Sequence, residues 1–182
     1  MYKTLTTALL ASAAVAMPAA NTHQTCTDKS VKVTDWTIHN FDFHASYTFT
    51  TPAHQNSWGY VNFTLENPTR NYRAVCSRQS DQLQDFFYGL ENYNCTQPDG
   101  SWDLATFNYS RPSGALNINQ TWICDNDGSE FWAEGGIDLK LKCNEKNYKN
   151  PHWKMGQIYS SRTITCDKVT TKVPIKSLRA AA

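Results

Sequence analysis

The sequence has no excess of charge of either sign. Its 182 residues include 17 Lys and Arg against 16 Asp and Glu, and only 18% of them are charged. A nucleic-acid binder needs a basic face, and a chain this close to neutrality has little positive charge from which to build one. The composition therefore argues against a nucleic-acid partner.

Long apolar runs are lacking after the first twenty residues. Within 1–20, Lys3 precedes a short Ala-rich apolar stretch, and the small residues near Ala16 and Ala20 suit signal peptidase. These features predict a secretory signal peptide, and the stretch is too short to span a bilayer. We therefore expect a secreted, extracellular protein with no membrane span.

The remaining residues, 21–182, are enough for one domain with its own core. We expect a secreted β domain with its core over about 31–166. The stretch 167–182 carries three Lys and one Arg, which predicts a basic, solvated tail. The functional alternative for this tail is contact with an anionic cell wall or membrane surface.

No two of the six cysteines have the C-x-x-C spacing that marks zinc or thioredoxin-type sites. An even number of cysteines behind a signal peptide predicts disulfides instead. Two of the expected bridges close short loops and the third joins the two ends of the domain, which restricts the unfolded chain. The expected pairs are Cys76–Cys95, Cys124–Cys143 and Cys26–Cys166.

Helical periodicity is scarce, and alternating apolar and polar residues take its place. The clearest example runs from Asp103 to Cys124, with an Arg-Pro-Ser-Gly turn at 111–114 that predicts a β-hairpin. Only the segment 79–92 also fits a helical turn. Roughly nine or ten such strands predict an all-β, single-domain antiparallel β-barrel or β-sandwich stapled by disulfides. The same pattern predicts separate strands at 31–38 and 45–50 and a polar loop at 144–151.

Four asparagines stand in N-x-S/T sequons, the acceptor pattern for N-linked glycans. Three of the four side chains fall on the polar side of predicted strands, away from the core. A cysteine in the middle of one sequon lowers the occupancy that we expect there. The sequence therefore predicts a glycoprotein whose candidate acceptors are Asn62, Asn94, Asn108 and Asn119.

Recognisable catalytic motifs are absent. The chain has no G-x-S-x-G nucleophile elbow, and each cysteine is better explained as half of a disulfide than as a nucleophile. Four carboxylates are available for glycoside hydrolysis, but nothing in the sequence marks any of them as buried or paired. They are Asp99, Asp103, Glu130 and Glu134. We expect no catalytic residue and no cofactor.

The histidines and acidic residues do not form a metal-binding pattern. His39 and His44 differ by five positions and would point to opposite faces of one continuous strand, and His54 is expected in a loop. Residues 125–130 predict a hairpin turn, since their spacing misses the calcium-loop pattern. Copper monooxygenases that attack polysaccharides use an N-terminal histidine, so signal cleavage before His23 would support that alternative. We expect no metal site.

Aromatic residues make up 13% of the chain. Trp102 and Trp153 lie in polar loops, where an exposed ring can stack on a sugar or on a flavonoid-like ligand. They are our ligand-binding candidates, and ordinary packing within a loop is the alternative role for such rings.

Short motifs along the chain follow a known order. Residues 36–41 open with Trp-x-Ile and end in Phe, and residues 76–85 run from a Cys-Ser pair to a Leu and an acidic residue. Cys95 and the hairpin at 107–118 follow. Together these features resemble the fungal secreted proteins related to the Alternaria major allergen, over roughly 31–143.

The resemblance implies a compact β-barrel with two disulfides, secretion and, in some members, a disulfide-linked dimer. It implies binding rather than catalysis, with small phenolic ligands and host defence proteins as partners. This sequence departs in having six cysteines, so Cys26 can pair internally, which argues against the covalent dimer. We expect a non-enzymatic, effector-like or allergen-like monomer or dimer that recognises a host protein or small ligand. The alternative is a carbohydrate-binding module or a polysaccharide oxidase.

Overall fold

The chain folds as an antiparallel β-barrel in the computed structural model, which describes residues 24–80, 87–98, 100–125 and 127–181. The described elements are α1 (Cys26–Ser30), β1 (Asp35–Thr51), β2 (His54–Glu66), β3 (Arg73–Ser80), β4 (Tyr93–Thr96), β5 (Leu104–Tyr109), β6 (Ala115–Ile123), β7 (Glu130–Asp138), β8 (Cys143–Lys149), β9 (Ser160–Cys166) and β10 (Val169–Ala181). Strands β1 to β7 follow one another around the barrel, and β10 closes it between β7 and β1. The all-β expectation is confirmed, and the fold is the barrel rather than the sandwich.

β1 is one long strand, not the two separate strands expected at 31–38 and 45–50. Its lower part, Asp35 to Phe41, pairs with β10, and its upper part, His44 to Phe49, pairs with β9. The β8–β9 hairpin is therefore attached to the upper half of β1, outside the closed barrel.

A β-bulge divides the two halves of β1. Asn40 adopts a left-handed backbone with φ 54°, and the register shifts there. The extra residue changes the alternation, so that Ile38 and Phe41 both face the core. Consequently His39 and His44 both face outward, although the sequence predicted opposite faces.

Aromatic side chains fill the middle of the barrel. Phe41 packs against Tyr109 with ring centroids 5.1 Å apart, and Phe63 packs against Phe107 at 5.0 Å. These contacts join β1 and β2 to β5 across the interior, and each contributes roughly 0.5–1.5 kcal/mol beyond the area that it buries.

Buried polar groups near α1 are paired with one another. Gln120 Oε1 accepts hydrogen bonds from Trp36 Nε1 at 2.8 Å and from Asn67 Nδ2 at 2.9 Å. Trp122 Nε1 donates to Ser30 Oγ at 2.8 Å. Because these donors have partners, large indole rings can be buried here without the cost of an unpaired N–H.

The disulfides join Cys76 to Cys95, Cys26 to Cys124 and Cys143 to Cys166. The first pairing is confirmed, whereas the expected Cys124–Cys143 and Cys26–Cys166 bridges are wrong. Cys143 lies directly opposite Cys166 in the β8–β9 ladder, and α1 places Cys26 beside the end of β6. Distance along the chain could not reveal this strand pairing. On the chain-entropy estimate the Cys26–Cys124 bridge, which spans 98 residues, stabilises the fold by about 4–5 kcal/mol.

The basic segment expected as a tail at 167–182 is largely strand β10. Val173 is fully buried, whereas Lys172 faces outward and lies 2.8 Å from Asp35. The alternation of apolar and charged residues is that of a strand with one face in water. The prediction of a tail is wrong because the lysines mark the outer face of that strand.

Two other expectations concern β8 and the segment after β3. The polar loop expected at 144–151 is strand β8 as far as Lys149. Of the ambiguous segment 79–92, residues 81–86 lie outside the described residues. Within the described residues, no helix is long and apolar enough to cross a membrane.

Candidate functional site

The outer face of β1 and β2 carries a connected row of aromatic and charged side chains. Alternate residues of two paired strands point to the same side, so cross-strand partners such as His44 and Tyr60 stand next to each other. We call this face the outer strip. It consists of Asp35, Thr37, His39, Asp42, His44, Trp58, Tyr60, Asn62, Thr64 and Glu66.

Three rings form what we call the aromatic ridge: His44, Tyr60 and Trp58. The planes of His44 and Tyr60 differ by 12°, and their centroids are 5.4 Å apart. The Trp58 ring lies 5.3 Å from His44 and 6.1 Å from Tyr60, and Trp58 is 40% exposed. This is an offset stack, in which each ring packs against the other two.

Asp42 links the aromatic ridge to the start of β10. Its carboxylate lies 3.6 Å from Lys168 Nζ and close enough to the Tyr60 hydroxyl to influence its ionisation. Partial burial raises the pKa of Tyr60, and the negative charge of Asp42 raises it further. Tyr60 therefore remains a protonated donor at neutral pH.

Ion pairs occupy the lower part of the outer strip. Glu66 Oε2 lies 2.7 Å from His39 Nε2 and 2.7 Å from Arg73 Nη2. The hydrogen bond from His39, followed by that from Arg73, holds the pKa of the Glu66 carboxyl below its usual value. Lys172 lowers the pKa of Asp35 in the same way. Since exposed pairs add only about 0–1 kcal/mol each, their main effect is to orient these side chains.

Two open grooves border the outer strip. One has a volume of about 440 Å³ and lies beside Asp42, Asn62 and Val75. The other, of about 460 Å³, lies between the strip and α1, with Lys29 and Lys172 in its wall. Both volumes fall within the roughly 300–1,000 Å³ of small-molecule sites.

The family model for Alternaria alternata allergen 1 matches residues 38–166, well over half of the 182-residue chain. The chain belongs to this family. The matched segment contains the aromatic ridge and confirms the resemblance drawn from the short motifs. No curated protein and no solved structure matches the chain. Three disulfides and this family membership are features expected of an extracellular protein.

The two predicted ligand-binding tryptophans of this family member lie in different parts of the fold. Trp102 precedes β5 and is 84% exposed. Trp153 lies between β8 and β9, where its indole N–H donates to Gln157 O at 2.9 Å and its ring packs edge-on against Tyr159. Trp153 thus has a packing role within its loop, and the two rings do not form one site.

Two of the four carboxylates considered for glycoside hydrolysis have basic partners. Asp103 is 2% exposed, lies 2.7 Å from Arg70 Nε and accepts a hydrogen bond from the Tyr72 hydroxyl. This cluster ties the turn after β2 to the start of β5. Glu134 pairs with Arg179 at 3.2 Å on the barrel surface. Asp99 lies outside the described residues, and Glu130 begins β7.

The histidines are used in other contacts. His54 Nδ1 lies 2.8 Å from Thr50 Oγ1 in the β1–β2 turn, while His39 and His44 belong to the outer strip. Asp127 accepts from Thr27 Oγ1 at 2.6 Å and from Ser129 N at 3.0 Å, as in a turn. No group of three or more metal-ligating side chains comes together among the described residues, which do not include His23.

The sequon asparagines divide unequally between two sides of the barrel. Asn94, Asn108 and Asn119 lie on the outer face of β4, β5 and β6, which we call the sequon face. Asn62 lies on the outer strip, where its Oδ1 accepts from Ser77 Oγ at 2.5 Å. Their glycosylation stays a prediction.

The aromatic ridge was not predicted from the sequence. The alternation through Val61 and Phe63 predicts that Trp58 and Tyr60 face outward, so part of the signal was available. His44 joins them only because the bulge at Asn40 changes the alternation of β1. Asparagine tolerates a left-handed backbone better than most residues, but this tendency alone does not locate a bulge.

Proposed function

We propose that this family member is a secreted, non-catalytic binding protein that recognises an extracellular host protein through the aromatic ridge. The observation that supports this most directly is the outward stack of His44, Tyr60 and Trp58. Tryptophan and tyrosine are enriched among the residues that dominate protein–protein binding energy. The Asp42–Lys168 pair beside the ridge supplies charges of both signs at its rim.

The aromatic ridge stands on a well-ordered base. β1 and β2 pair from Thr37 and Glu66 at one end to Thr51 and His54 at the other. Each ring also packs against another ring, which limits its rotamers before a partner arrives. Ordering a flexible side chain at an interface costs roughly 0.5–1.5 kcal/mol, so a pre-ordered ridge favours binding.

The orientation of the rings favours a protein partner over the carbohydrate alternative. A sugar stacks best on an exposed ring face, whereas the ring faces of the ridge pack largely against one another. Ring edges and the Tyr60 hydroxyl suit the mixed contacts of a protein interface. The carbohydrate alternative would therefore use Trp102 rather than the ridge.

The test begins with capture of secreted host proteins on the immobilised protein. Each captured candidate is then purified and titrated against the wild type, Trp58→Ala and Tyr88→Ala. We expect Trp58→Ala to weaken binding by at least about tenfold, because a central aromatic anchor is removed. Tyr88 is 48% exposed and lies outside the ridge, so Tyr88→Ala should bind normally. Equal affinity of the three proteins for every candidate, or chemical conversion of a partner, would contradict the proposal.

The groove beside Asn62 supports a second candidate, a small phenolic ligand. The Asp42 carboxylate can accept a phenol hydrogen bond there, and Val75, which is 52% exposed, offers an apolar wall. Calorimetric titration with a flavonol should give about tenfold weaker binding for Asp42→Asn, because the amide oxygen accepts the phenol hydrogen bond without the negative charge that strengthens it. A Val75→Thr variant separates the apolar contact from the hydrogen bond. Identical binding by all three proteins would argue against this groove.

Any dimer of this protein is proposed to form without an interchain disulfide. All six cysteine sulfur atoms are paired within the chain. Electrophoresis without reductant should therefore give the monomer mass, and a dimer band that disappears on reduction would contradict this.

A further inference from the structure

Two exposed large apolar side chains lie at the edge of the sequon face, at the start of β5 and just before it. Trp102 is 84% exposed, and Leu104, two residues later, is 68% exposed. Side chains two positions apart along an extended chain point to the same side. Two neighbouring apolar groups left in water mark a contact surface.

A sequon lies next to this apolar pair. In Asn119-Gln120-Thr121 the middle residue points into the core, where Gln120 is 3% exposed, so the other two point outward. Thr121 is directly opposite Leu104, and Asn119 is opposite Thr106. Asn119 is therefore the diagonal neighbour of Leu104, a separation of about 7–8 Å.

Of the other two sequon asparagines on this face, Asn94 is also opposite Thr106 and diagonal to Leu104, whereas Asn108 lies four residues further along β5. The Asn108 amide donates from Nδ2 to Asn92 at 2.9 Å and accepts at Oδ1 from Asn117 at 2.9 Å. Asn94 is followed by the disulfide-bonded Cys95. Asn119 is exposed and makes no side-chain hydrogen bond within the described part of the chain.

We propose that an N-linked glycan on Asn119 lies across Trp102 and Leu104 and covers them. The first sugar, N-acetylglucosamine, has C–H groups on its ring face and an acetamido methyl group, which pack on an indole ring. Its hydroxyl groups stay in water. Because the sugar is tethered to the diagonal neighbour of Leu104, and Trp102 is two residues from Leu104, its effective concentration at this patch is high and even a weak contact is largely populated.

The modification rests on the secretion proposed above but not on partner recognition by the ridge. A secretory glycosyltransferase supplies the step from a lipid-linked oligosaccharide pyrophosphate. The bond between Asn119 Nδ2 and sugar C1 forms as the bond between C1 and the pyrophosphate oxygen breaks. Nδ2 loses one proton, and the lipid pyrophosphate is the leaving group.

The experiment uses protein secreted from a yeast and trimmed enzymatically to one N-acetylglucosamine per site. Glycopeptide mass spectrometry establishes occupancy at each sequon. Thr121→Ala removes the Asn119 sequon, and it is made in the wild-type and Trp102→Ala backgrounds. Unglycosylated protein carrying the same substitutions gives the effect of Thr121→Ala without a sugar. Ser110→Ala, which removes the Asn108 sequon on the same face, is the matched control.

We expect Asn119 to carry a glycan in the secreted protein. Loss of this sugar should lower Tm by roughly 2–4 °C in the wild-type background and by less than about 1 °C in the Trp102→Ala background. Acrylamide quenching of Trp102 should increase when the sugar is removed. The effect of Ser110→Ala should be the same in both backgrounds.

An unmodified Asn119 in the secreted protein would overturn the proposal and leave the ridge hypothesis standing. An equal Tm change in the two backgrounds would also overturn it. Binding of free N-acetylglucosamine oligomers to unglycosylated protein, with no effect of an attached sugar, would assign the patch to an external carbohydrate instead.

Discussion

The outer strip and the sequon face lie on opposite sides of one barrel and follow the same strand alternation, yet their side chains are used differently. On the outer strip, rings stack and charges pair within the molecule. On the sequon face, three sequon asparagines share one side of the sheet with the exposed Leu104, and the exposed Trp102 lies two residues before it. Exposed faces of one sheet can therefore differ in whether their side chains find partners within the molecule. On our proposals, the outer strip is pre-ordered for a partner and the sequon face is completed by a glycan.

The two faces are joined through the interior at Gln120, and this is where we expect the largest effect. Gln120→Leu would leave the Trp36 and Asn67 donors buried without their acceptor. Two such losses should lower the free energy of unfolding by roughly 2–5 kcal/mol. Denaturant unfolding measures this, and Thr121→Ser, on the surface next to it, should change stability little. A similar small change for Gln120→Leu would show that the network does not couple the faces.

Tyr109 lies in the barrel interior on β5, a strand of the sequon face, and packs on Phe41 of β1, a strand of the outer strip. It therefore contacts both sides of the barrel, and its effect on stability depends on pH. Burial raises the pKa of Tyr109 to about 12, whereas a tyrosine in the unfolded chain ionises near pH 10. As pH rises, the Tyr109 hydroxyl loses its proton in the unfolded state before it does so in the folded state. The contribution of the protonated hydroxyl to the free energy of unfolding is therefore intact below about pH 10 and is lost as pH rises to about 12. Its size is roughly 2–3 kcal/mol.

Denaturant unfolding across this alkaline range should give a smaller loss of stability in Tyr109→Phe than in the wild type. The variant keeps the ring and lacks the ionisable hydroxyl, so the other tyrosines and the lysines affect both proteins alike. Parallel pH profiles for the two proteins would contradict the assignment.

The bulge at Asn40 decides which residues of β1 face outward on the outer strip. Substitution of Asn40 should affect stability less than the two changes above. Asn40→Val places a β-branched residue at φ 54° and should destabilise the fold by about 1–2 kcal/mol. Asn40→Gly, which accepts this backbone freely, should change stability little. If both variants behave alike in denaturant unfolding, the left-handed backbone does not hold the bulge.

The smallest expected effect is at Glu66 on the outer strip. The hydrogen bond from His39, and to a smaller extent that from Arg73, lowers the pKa of the Glu66 carboxyl. The contribution of this carboxylate to the free energy of unfolding is therefore present above the unfolded pKa and is lost as pH falls through the folded pKa. For an exposed pair this is less than about 1 kcal/mol. Acid unfolding of the wild type and Glu66→Gln should therefore differ slightly near neutral pH and converge at low pH. A constant difference at all pH values would rule out this ion pair as the cause.

Local pattern predicted much of the fold. The alternation in Asp103 to Cys124 predicted the β5–β6 hairpin, and the motifs around Cys76 predicted the family. The Cys76–Cys95 bridge followed from nearness in sequence, since β3 and β4 are neighbours in the barrel. In β10, apolar and charged residues alternate in the sequence, which is typical of a strand. The prediction of a tail there considered only the lysines and the arginine.

The amino-acid sequence by itself determined that this is an all-β, disulfide-stapled member of the Alternaria allergen family, because strand alternation and short motifs are local properties. The tertiary structure alone decided the pairing of Cys26 with Cys124, the closure by β10, and the meeting of His44 with Trp58 and Tyr60. Each of these depends on which strands become neighbours, and on one extra residue in β1. Such contacts between distant parts of the chain leave no periodic trace in the sequence.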